Sequence, residues 1–292
     1  MSIEDNSFAV STWNILGDRH HRQSRLVRVA TELRNADICA LQEVVFSDNG
    51  NSSAHEIAEL SEFTIASLIP TGTNNFVSGD AQATAILTRL PIVTPNITIR
   101  APLIEEAKTG KEPKGYSGAI LKSRTNRKIF IASIHLPWGG DQENRRLLHL
   151  QTICSQIDEI MNDLPKDSVA ILAGDFNTTP ASDSVRFLSG ELAKEGCSAF
   201  WIDSWSAAGH GDGYTFDPKV KNLNLERTAN ETGLFKPEFM PRRRLDFIFV
   251  KGWAYGRQGS PLEASIIGEF PDQNGLHASD HYGIRTLLWD PD

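Results

Sequence analysis

The sequence predicts an α/β fold in which two β-sheets pack together and helices flank them. Short apolar runs of strand length alternate with helical patterns and polar loops, and many strands follow one another with few helices between. No internal repeat and no linker rich in Gly, Ser or Pro divides the chain. Since 292 residues, 40% of them hydrophobic, can fill one large core, we expect a single domain spanning residues 1–292.

The first half of the chain predicts a strand, an amphipathic helix and then further strands. The strands are short apolar runs such as "FAVSTWNI" and "DICALQEV". Between these two runs, Leu26, Val29 and Leu33 recur at helical spacing, which predicts a helix over 23–35 with these residues inward. The predicted strands of this half are 8–15, 37–44, 84–93, 118–123 and 128–136.

The second half predicts two helices and four strands around a polar stretch. Apolar residues from Leu147 to Met161 recur every three or four positions, which predicts a helix over 142–162. A shorter helix is expected around 181–190, and a polar stretch runs from about 206 to 241. The predicted strands of this half are 168–176, 244–250, 262–270 and 279–289.

Composition and charge exclude several classes of protein. Thirty-seven acidic and 29 basic residues give a net charge of −8, which repels polyanions at long range and argues against a nucleic-acid scaffolding protein. An enzyme that meets a phosphate at one local site is still compatible with this charge, because metal ions and a few arginines reverse the local field. The three cysteines are too few and too scattered for a disulfide framework or a zinc site.

The sequence shows no recognisable targeting signal, which favours a cytoplasmic protein. No stretch of eighteen apolar residues is present, so no membrane span is expected. The first residues, "MSIEDNSFAVSTWN", lack a basic segment followed by an apolar one, so we expect no secretory signal. Nothing in the pattern indicates an obligate protein partner.

Polar residues stand at the ends of several predicted strands, where a hydrophobic core would not place them. Read singly, Asn14 would bond to neighbouring backbone, Glu43 would cap or pair with an arginine, and the histidines would be satisfied core residues. Because so many separate strands end in this way, the joint interpretation is one polar cluster at one edge of the sandwich. The strand-end residues are Asn14, Gln42, Glu43, His135, Asp175, Asn177, Asp246, Asp280 and His281.

Three members of this set carry the most information. Asp175 and Asn177 in "GDFNTTP" are two positions apart and project to the same side of an extended chain, although a turn would also explain these residue types. Asp246 stands between two apolar residues in "RLDFIFV". A buried carboxylate costs several kcal/mol unless it is paired, so Asp246 requires a cationic or donor partner.

The residue types of the cluster suit phosphoester hydrolysis. Carboxylates, amides and histidines without cysteine ligands favour a hard cation such as Mg²⁺. Such an ion neutralises phosphate charge while a carboxylate orients or deprotonates a water, and a histidine held by a carboxylate donates to the phosphate oxygen. The sequence contains no P-loop lysine motif, nucleophile elbow or "HExxH" string that would favour another mechanism.

The ordered set of strand-end strings resembles the endonuclease/exonuclease/phosphatase superfamily, which includes DNase I-like nucleases, deadenylases, tyrosyl-DNA phosphodiesterases, sphingomyelinases and inositol-polyphosphate phosphatases. The resemblance covers residues 8–289 and implies a four-layered αββα sandwich with its active site at one end. Among the branches, "GDFNTTPASDSVRFL" is most similar to the deadenylases and related phosphodiesterases. The strings are "TWNI", "LQEV", "TAILTRLPI", "IHL", "GDFNTTP", "RRLDFIFV" and "SDHYGI".

The resemblance also implies a role for each residue of the cluster. Glu43, helped by Asn14, would bind Mg²⁺ (or Mn²⁺), and Asp280 would complete the metal site or its surroundings. Asp175 would align or activate the attacking water, and Asn177 would hold the phosphate and that water. In the remaining positions, His281 would contact the scissile phosphate while bonded to Asp246, and His135 would support the leaving group or transition state.

Four further residues are candidates for contact with the substrate. Tyr214 and Phe216 in "GYTFDP" would stack on a base or another planar group, or else would anchor the 206–241 loop to the core. The arginines in "PRRRLDF" would clamp a phosphate or form a solvated basic run. Arg244 is the favoured clamp, since strand alternation puts it on the face of Asp246 and turns Arg243 away. Trp138 would line the active site or be an ordinary packed tryptophan.

Three functions stay open from the sequence. The first is a metal-dependent phosphodiesterase acting on nucleic acid, single-stranded or at an end. The second is the same chemistry on a small or lipid phosphoester, such as a nucleotide, phosphoinositide or sphingomyelin, which the acidic charge favours. The third is a binding module that kept the fold and lost catalysis.

Overall fold

Twelve strands in the described residues form two six-stranded sheets. The structure is a computed structural model and describes residues 6–17, 20–46, 50–74, 80–102, 115–218, 239–252 and 256–291. The strands are β1 Ser7–Asn14, β2 Ile38–Val45, β3 Thr64–Asn74, β4 Ala81–Thr88, β5 Ile92–Arg100, β6 Gly115–Lys122, β7 Lys128–His135, β8 Val169–Asp175, β9 Trp201–Asp203, β10 Asp246–Lys251, β11 Pro261–Ile267 and β12 Gly283–Trp289.

Each sheet contains one parallel pair of strands. The first sheet has the order β11-β12-β1-β2-β4-β3, and the second has the order β5-β6-β7-β8-β10-β9. The strands β1 and β2 run parallel, as do β7 and β8, whereas β12 is antiparallel to β1 and β10 is antiparallel to β8. The carboxyl ends of the parallel pairs therefore lie at the same sheet edge as the amino ends of their antiparallel neighbours.

Helices cover the outer faces of both sheets, which gives four layers. Apolar residues of α1 and α2, such as Leu26 and Ile57, pack with residues of the first sheet, such as Leu41. The helices α3 and α4 pack in the same way on the second sheet. The helices are α1 Arg22–Glu32, α2 Ser53–Ser61, α3 Glu143–Asn162, α4 Asp183–Leu188 and α5 Ser204–Ala208.

A third apolar cluster lies between the sheets. It joins residues of the first sheet, such as Val10 and Ile38, to residues of the second, such as Ile131 and Ile171. Strands that are buried on both faces read as nearly continuous apolar runs, which is why β1, β2, β7 and β8 are recognisable in the sequence. The α/β class with two packed sheets and flanking helices is confirmed.

One predicted strand is wrong in an informative way. The run 84–93 is divided at Arg89–Pro91, so that β4 belongs to the first sheet and β5 to the second. Pro91 provides no N–H for a continuous ladder, and the chain crosses between sheets at this point. Four of the described helices and strands were not predicted at all, namely α2, α5, β3 and β9.

Two other predictions concern the polar stretch and the membrane. Of the stretch 206–241, residues 219–238 lie outside the described residues, and its beginning overlaps the end of α5. Among the described residues, no helix is both long and apolar enough to cross a membrane.

Candidate active site

The strand-end residues of both sheets meet at one edge of the sandwich. Asn14 ends β1, and its Nδ2 atom donates to Asp175 Oδ2 at the end of β8 over 3.0 Å. The same amide donates to Glu43 Oε1 over 3.1 Å. Asn14 therefore bridges carboxylates from opposite sheets. Although the bridge is polar, Asn14 and Asp175 are each only 1% exposed.

Asp175 lies at the centre of the cluster. Its Oδ1 atom accepts from the backbone N–H of Asn177 over 2.8 Å, and its Oδ2 atom lies 3.6 Å from His135 Nε2 and 3.8 Å from His281 Nε2. The side chain of Asn177 is tied to Leu136, since its Nδ2 atom donates to that carbonyl oxygen over 3.0 Å. Two histidines and two amides thus surround one buried carboxylate.

His281 and Asp246 form a buried hydrogen-bonded pair. His281 Nδ1 lies 2.8 Å from Asp246 Oδ2, and Asp246 is fully buried. Burial raises the pKa of Asp246 to about 6, even though the His281 charge acts to lower it. Burial acts to lower the pKa of His281, but the charges of Asp246, Asp175 and Asp280 raise that pKa well above its ordinary value. The raised pKa of His281 favours its imidazolium form beside the Asp246 carboxylate, and Nε2 of that ring lies 3.8 Å from Asp175 Oδ2.

Glu43 and Asp280 are the carboxylates that best fit a hard cation. Burial raises the pKa of Asp280, and the neighbouring Glu43 charge raises it further. In the ranges that the structure describes, no lysine or arginine forms an ion pair with either carboxylate. The His281 charge acts to lower the pKa of Asp280, but the two oxygen-donor side chains repel one another and have no lysine or arginine partner among the described residues, which suits Mg²⁺.

A second arrangement could also hold an ion. One ligand atom from each of Asp175, Asp246 and His281 lies within 4.8 Å of the other two. Because His281 Nδ1 already bonds Asp246, only Nε2 remains for an ion, and it could coordinate one only after the imidazolium had lost its proton. The cluster therefore offers two places for a divalent ion, one at Glu43 and Asp280 and one beside Asp175.

Three residues at this edge have unusual backbone conformations. Leu16, Glu43 and Asn177 have φ values of 57°, 56° and 51°, in the left-handed region. Glu43 lies where the β2–β4 register shifts between Leu41 and Val44, and such a bulge re-aims a side chain. Non-glycine residues with positive φ store strain that commonly accompanies function.

Gly174 permits the close approach of β7 and β8 beside the cluster. Its φ is 150°, and a Cβ atom there would lie 2.0 Å from the carbonyl oxygen of Ile134 on β7. Since only glycine fits this contact, β8 can pair with β7 so that His135 lies opposite Asp175.

Some supporting residues were missed by the sequence analysis. Ser279 Oγ donates to the Asn14 carbonyl oxygen over 2.6 Å and accepts from the His281 N–H over 3.2 Å. Thr215 Oγ1 accepts from the backbone N–H of Asp246 over 3.2 Å. Serine and threonine are too common in loops for their spacing to reveal such contacts. Gln42, by contrast, is a buried tie between sheets, since its Nε2 atom donates to Ser133 Oγ over 3.0 Å.

Arg244 does not lie where strand alternation placed it, so the expected phosphate clamp at this residue is wrong. Its guanidinium donates to both carboxylate oxygens of Asp203 over 2.9 and 2.7 Å, stacks over Phe247 and is 4% exposed. Because β10 begins only at Asp246, alternation does not extend back to Arg244. This arginine forms a buried ion pair, and the half-buried Arg243 is the one whose charge interacts with Asp175.

The three aromatic candidates occupy different environments. Phe216 is 6% exposed and packs against the His281 ring with centroids 5.3 Å apart, so little of its ring is open to a substrate. Tyr214 lies beneath the Arg242 guanidinium at 4.9 Å. Trp138 is 58% exposed, on a loop whose carbonyls at Pro137 and Gly139 each accept from Arg146 over 2.8 Å.

Comparison with solved structures shows the same fold in other proteins. Truncated Caenorhabditis elegans TDP2 is 19% identical with a TM-score of 0.65, over 99% of this chain and 100% of that chain. D. rerio TDP2 complexed with single strand DNA product is 18% identical with a TM-score of 0.67, over 97% and 98%. The endonuclease/exonuclease/phosphatase from Bacteroides vulgatus is 20% identical with a TM-score of 0.66, over 97% and 98%. No curated protein matches the chain.

The family comparison gives a more specific result. The model of the Endonuclease/Exonuclease/phosphatase family matches residues 11–281, which include every strand-end residue of the cluster. Members of this family are hydrolases that act on phosphoester bonds, and the resemblance seen in the sequence is confirmed. The chain therefore belongs to the Endonuclease/Exonuclease/phosphatase family.

Proposed function

We propose that this protein is a divalent-metal-dependent phosphodiesterase that acts on nucleic acid, single-stranded or at a strand end. The observation that carries the proposal is the buried carboxylate Asp175 with Nε2 of the His281–Asp246 pair 3.8 Å away. Family membership supports hydrolysis of a phosphoester. The single strand DNA product in the D. rerio TDP2 structure supports a nucleic-acid substrate, although that complex is a property of the other protein.

Asp175 would align and deprotonate the attacking water. Its oxygens already accept hydrogen bonds from Asn14 Nδ2 and the Asn177 N–H, which fix the orientation of the carboxylate. A general base has to be fixed within reach of the proton it removes, and such a base contributes about two to four orders of magnitude to the rate. Asn177 would hold that water and the phosphate.

His281 would stabilise the negative charge that develops on a phosphate oxygen. The Asp246 carboxylate binds Nδ1, which leaves the Nε2–H group to donate to the substrate. His135 lies on the other side of Asp175, at 3.6 Å, and would support the leaving group from there.

Glu43 and Asp280 would hold Mg²⁺ or Mn²⁺, with Asn14 orienting Glu43. When bound, the ion would neutralise phosphate charge and position the ester. The backbone N–H of Gly17 donates to Glu43 Oε2 over 3.0 Å, so the carboxylate is held at both oxygens before any ion binds.

Trp138 is the aromatic candidate best placed to contact a base, because it is 58% exposed and follows His135 by three residues in the chain. Stacking on such a ring contributes about 1–3 kcal/mol per base. Tyr214 would extend this surface through its contact with Arg242.

The second candidate function is the same chemistry on a small or lipid phosphoester, which the net charge of −8 favours. Salt dependence separates the two. A strand that releases several counterions loses affinity steeply as salt rises, whereas a small substrate loses it only slightly.

The test is hydrolysis of labelled single-stranded DNA, RNA and a chromogenic phosphodiester, with and without Mg²⁺. We expect metal-dependent cleavage that Asp175→Asn reduces by about two to four orders of magnitude and His281→Ala reduces similarly. Asp183→Asn, at a surface ion pair of α4, is the matched control and should retain full activity. No cleavage of any substrate by the wild-type protein would instead favour a binding module.

A further inference from the structure

Three chain segments beside the cluster are paired through their backbones. Phe216 and Arg243 exchange two hydrogen bonds of 2.9 Å, and Phe216 is also bridged to His281. Residues that lie directly opposite one another across such a pair point to the same side. Arg243, Phe216 and His281 therefore form a row on the face that carries the proposed active site.

The side chains confirm this row. The Arg243 guanidinium lies 5.2 Å from the centre of the Phe216 ring, and that ring lies 5.3 Å from the His281 ring. Burial lowers the pKa of Arg243, and the charge of Asp175 acts in the opposite direction. A cation thus faces the carboxylate that is proposed to activate water.

Arg243 has an unused hydrogen-bond donor in this position. Among the described residues, its Nε atom is buried and has no hydrogen-bond partner. Arg244, one residue later, also has a buried Nε atom without a partner, but both of its terminal nitrogens are bonded to Asp203. A buried donor without an acceptor is costly, so an anionic oxygen that reached Arg243 would be bound strongly.

The distance from His281 indicates which group of a substrate this oxygen would belong to. Two strand spacings, about 9–10 Å, separate the backbones of Arg243 and His281. Neighbouring anionic groups on one molecule fit that separation better than two oxygens of a single phosphate.

We propose that Arg243 is a specificity residue that binds a second phosphate of the substrate, adjacent to the phosphate that is cleaved. The inference rests on the proposed function and narrows it to substrates with two phosphate groups in sequence, such as a strand or an end-phosphorylated oligonucleotide. Lysine at this position would supply charge but not the planar two-nitrogen fork.

The experiment compares dithymidylate carrying a terminal phosphate, at its 5′ or its 3′ end, with unphosphorylated dithymidylate. For Arg243→Ala we expect kcat/KM to fall about 10- to 100-fold on one phosphorylated form, mainly through KM, and to change less than about threefold on the unphosphorylated form. Arg243→Lys should restore part of the loss. Arg186→Ala, at a surface ion pair, is the control and should leave both substrates unaffected.

Binding is measured separately, by calorimetry with Mg²⁺ on Asp175→Asn and on Asp175→Asn with Arg243→Ala. We expect the terminal phosphate to tighten binding only when Arg243 is present. Equal affinity for both dithymidylates in Asp175→Asn, or an equal loss on both when Arg243 is removed, would overturn the inference. If Asp175→Asn binds this way but the wild type cleaves neither compound, the proposed function fails while the role of Arg243 in binding stands.

Discussion

The ion pair between Arg244 and Asp203 gives a prediction that separates structural stability from substrate binding. Both side chains are nearly buried, at 4% and 7% exposure, and two hydrogen bonds of 2.9 and 2.7 Å join them. Removing one partner leaves an uncompensated buried charge, which costs about 3–5 kcal/mol. Since domains are stabilised by only about 5–15 kcal/mol, Arg244→Met should lose a large share of the free energy of unfolding.

The assay is urea denaturation, with the free energy extrapolated to water. Arg244→Met combined with Asp203→Asn should be more stable than Arg244→Met alone, because no unpaired charge remains, while Asn keeps the cap on Trp205. Arg186→Met, at an exposed pair, should cost less than about 1 kcal/mol.

Kinetics on the folded fraction complete the test. We expect KM for any cleaved substrate to stay within about twofold of the wild type, since Arg244 lies away from the substrate (a change of less than about 0.4 kcal/mol). A variant that keeps its stability but shows a large rise in KM would refute the assignment and restore Arg244 as a phosphate clamp.

Three further predictions concern the cluster itself. The charge of Asp246 raises the pKa of His281, so the imidazolium is kept at neutral pH and is lost as pH rises. Asp246→Asn should therefore move the alkaline decrease of kcat/KM about 1–3 pH units towards acid. Coincident pH profiles for the wild type and the variant would contradict this. Gly174→Ala should destabilise the protein by about 3 kcal/mol in urea, because its Cβ atom meets the Ile134 carbonyl, whereas Gly140→Ala, with open space, should not. Mg²⁺ at 100 times its Kd should add about 2.7 kcal/mol to the free energy of unfolding, and Glu43→Gln should abolish most of that gain. An equal gain in the variant would show that the ion binds elsewhere.

The strand-end residues could be predicted because they lie next to runs that are apolar on both faces, at the carboxyl ends of β1, β2, β7 and β8 and at the amino ends of β10 and β12. "SVAILA" has to be a buried strand, and a carboxylate directly after it has to lie at a sheet edge. Their roles in binding and catalysis stay predictions.

The errors arise where the sequence pattern does not specify which strand a segment pairs with. Counting alternation from Asp246 back to Arg244 assumed a strand that is already extended there, whereas Arg243 pairs with Phe216 instead. In the same way, the run 84–93 shows apolar residues without showing that β4 and β5 enter different sheets. Such pairings depend on contacts between distant parts of the chain, which local periodicity does not encode.

The pairing of β1 with β12 has a consequence for how the protein is made. Ser7 pairs with Trp289, so β1 acquires its antiparallel neighbour only after β12, which is more than 260 residues later in the sequence, has been synthesised. Pairing across such a sequence separation is slow, because the loop-closure entropy of nearly the whole chain is lost first. During synthesis one edge of β1 stays open, and a nascent chain that stops short of residue 283 would lack both a complete first sheet and a properly seated His281.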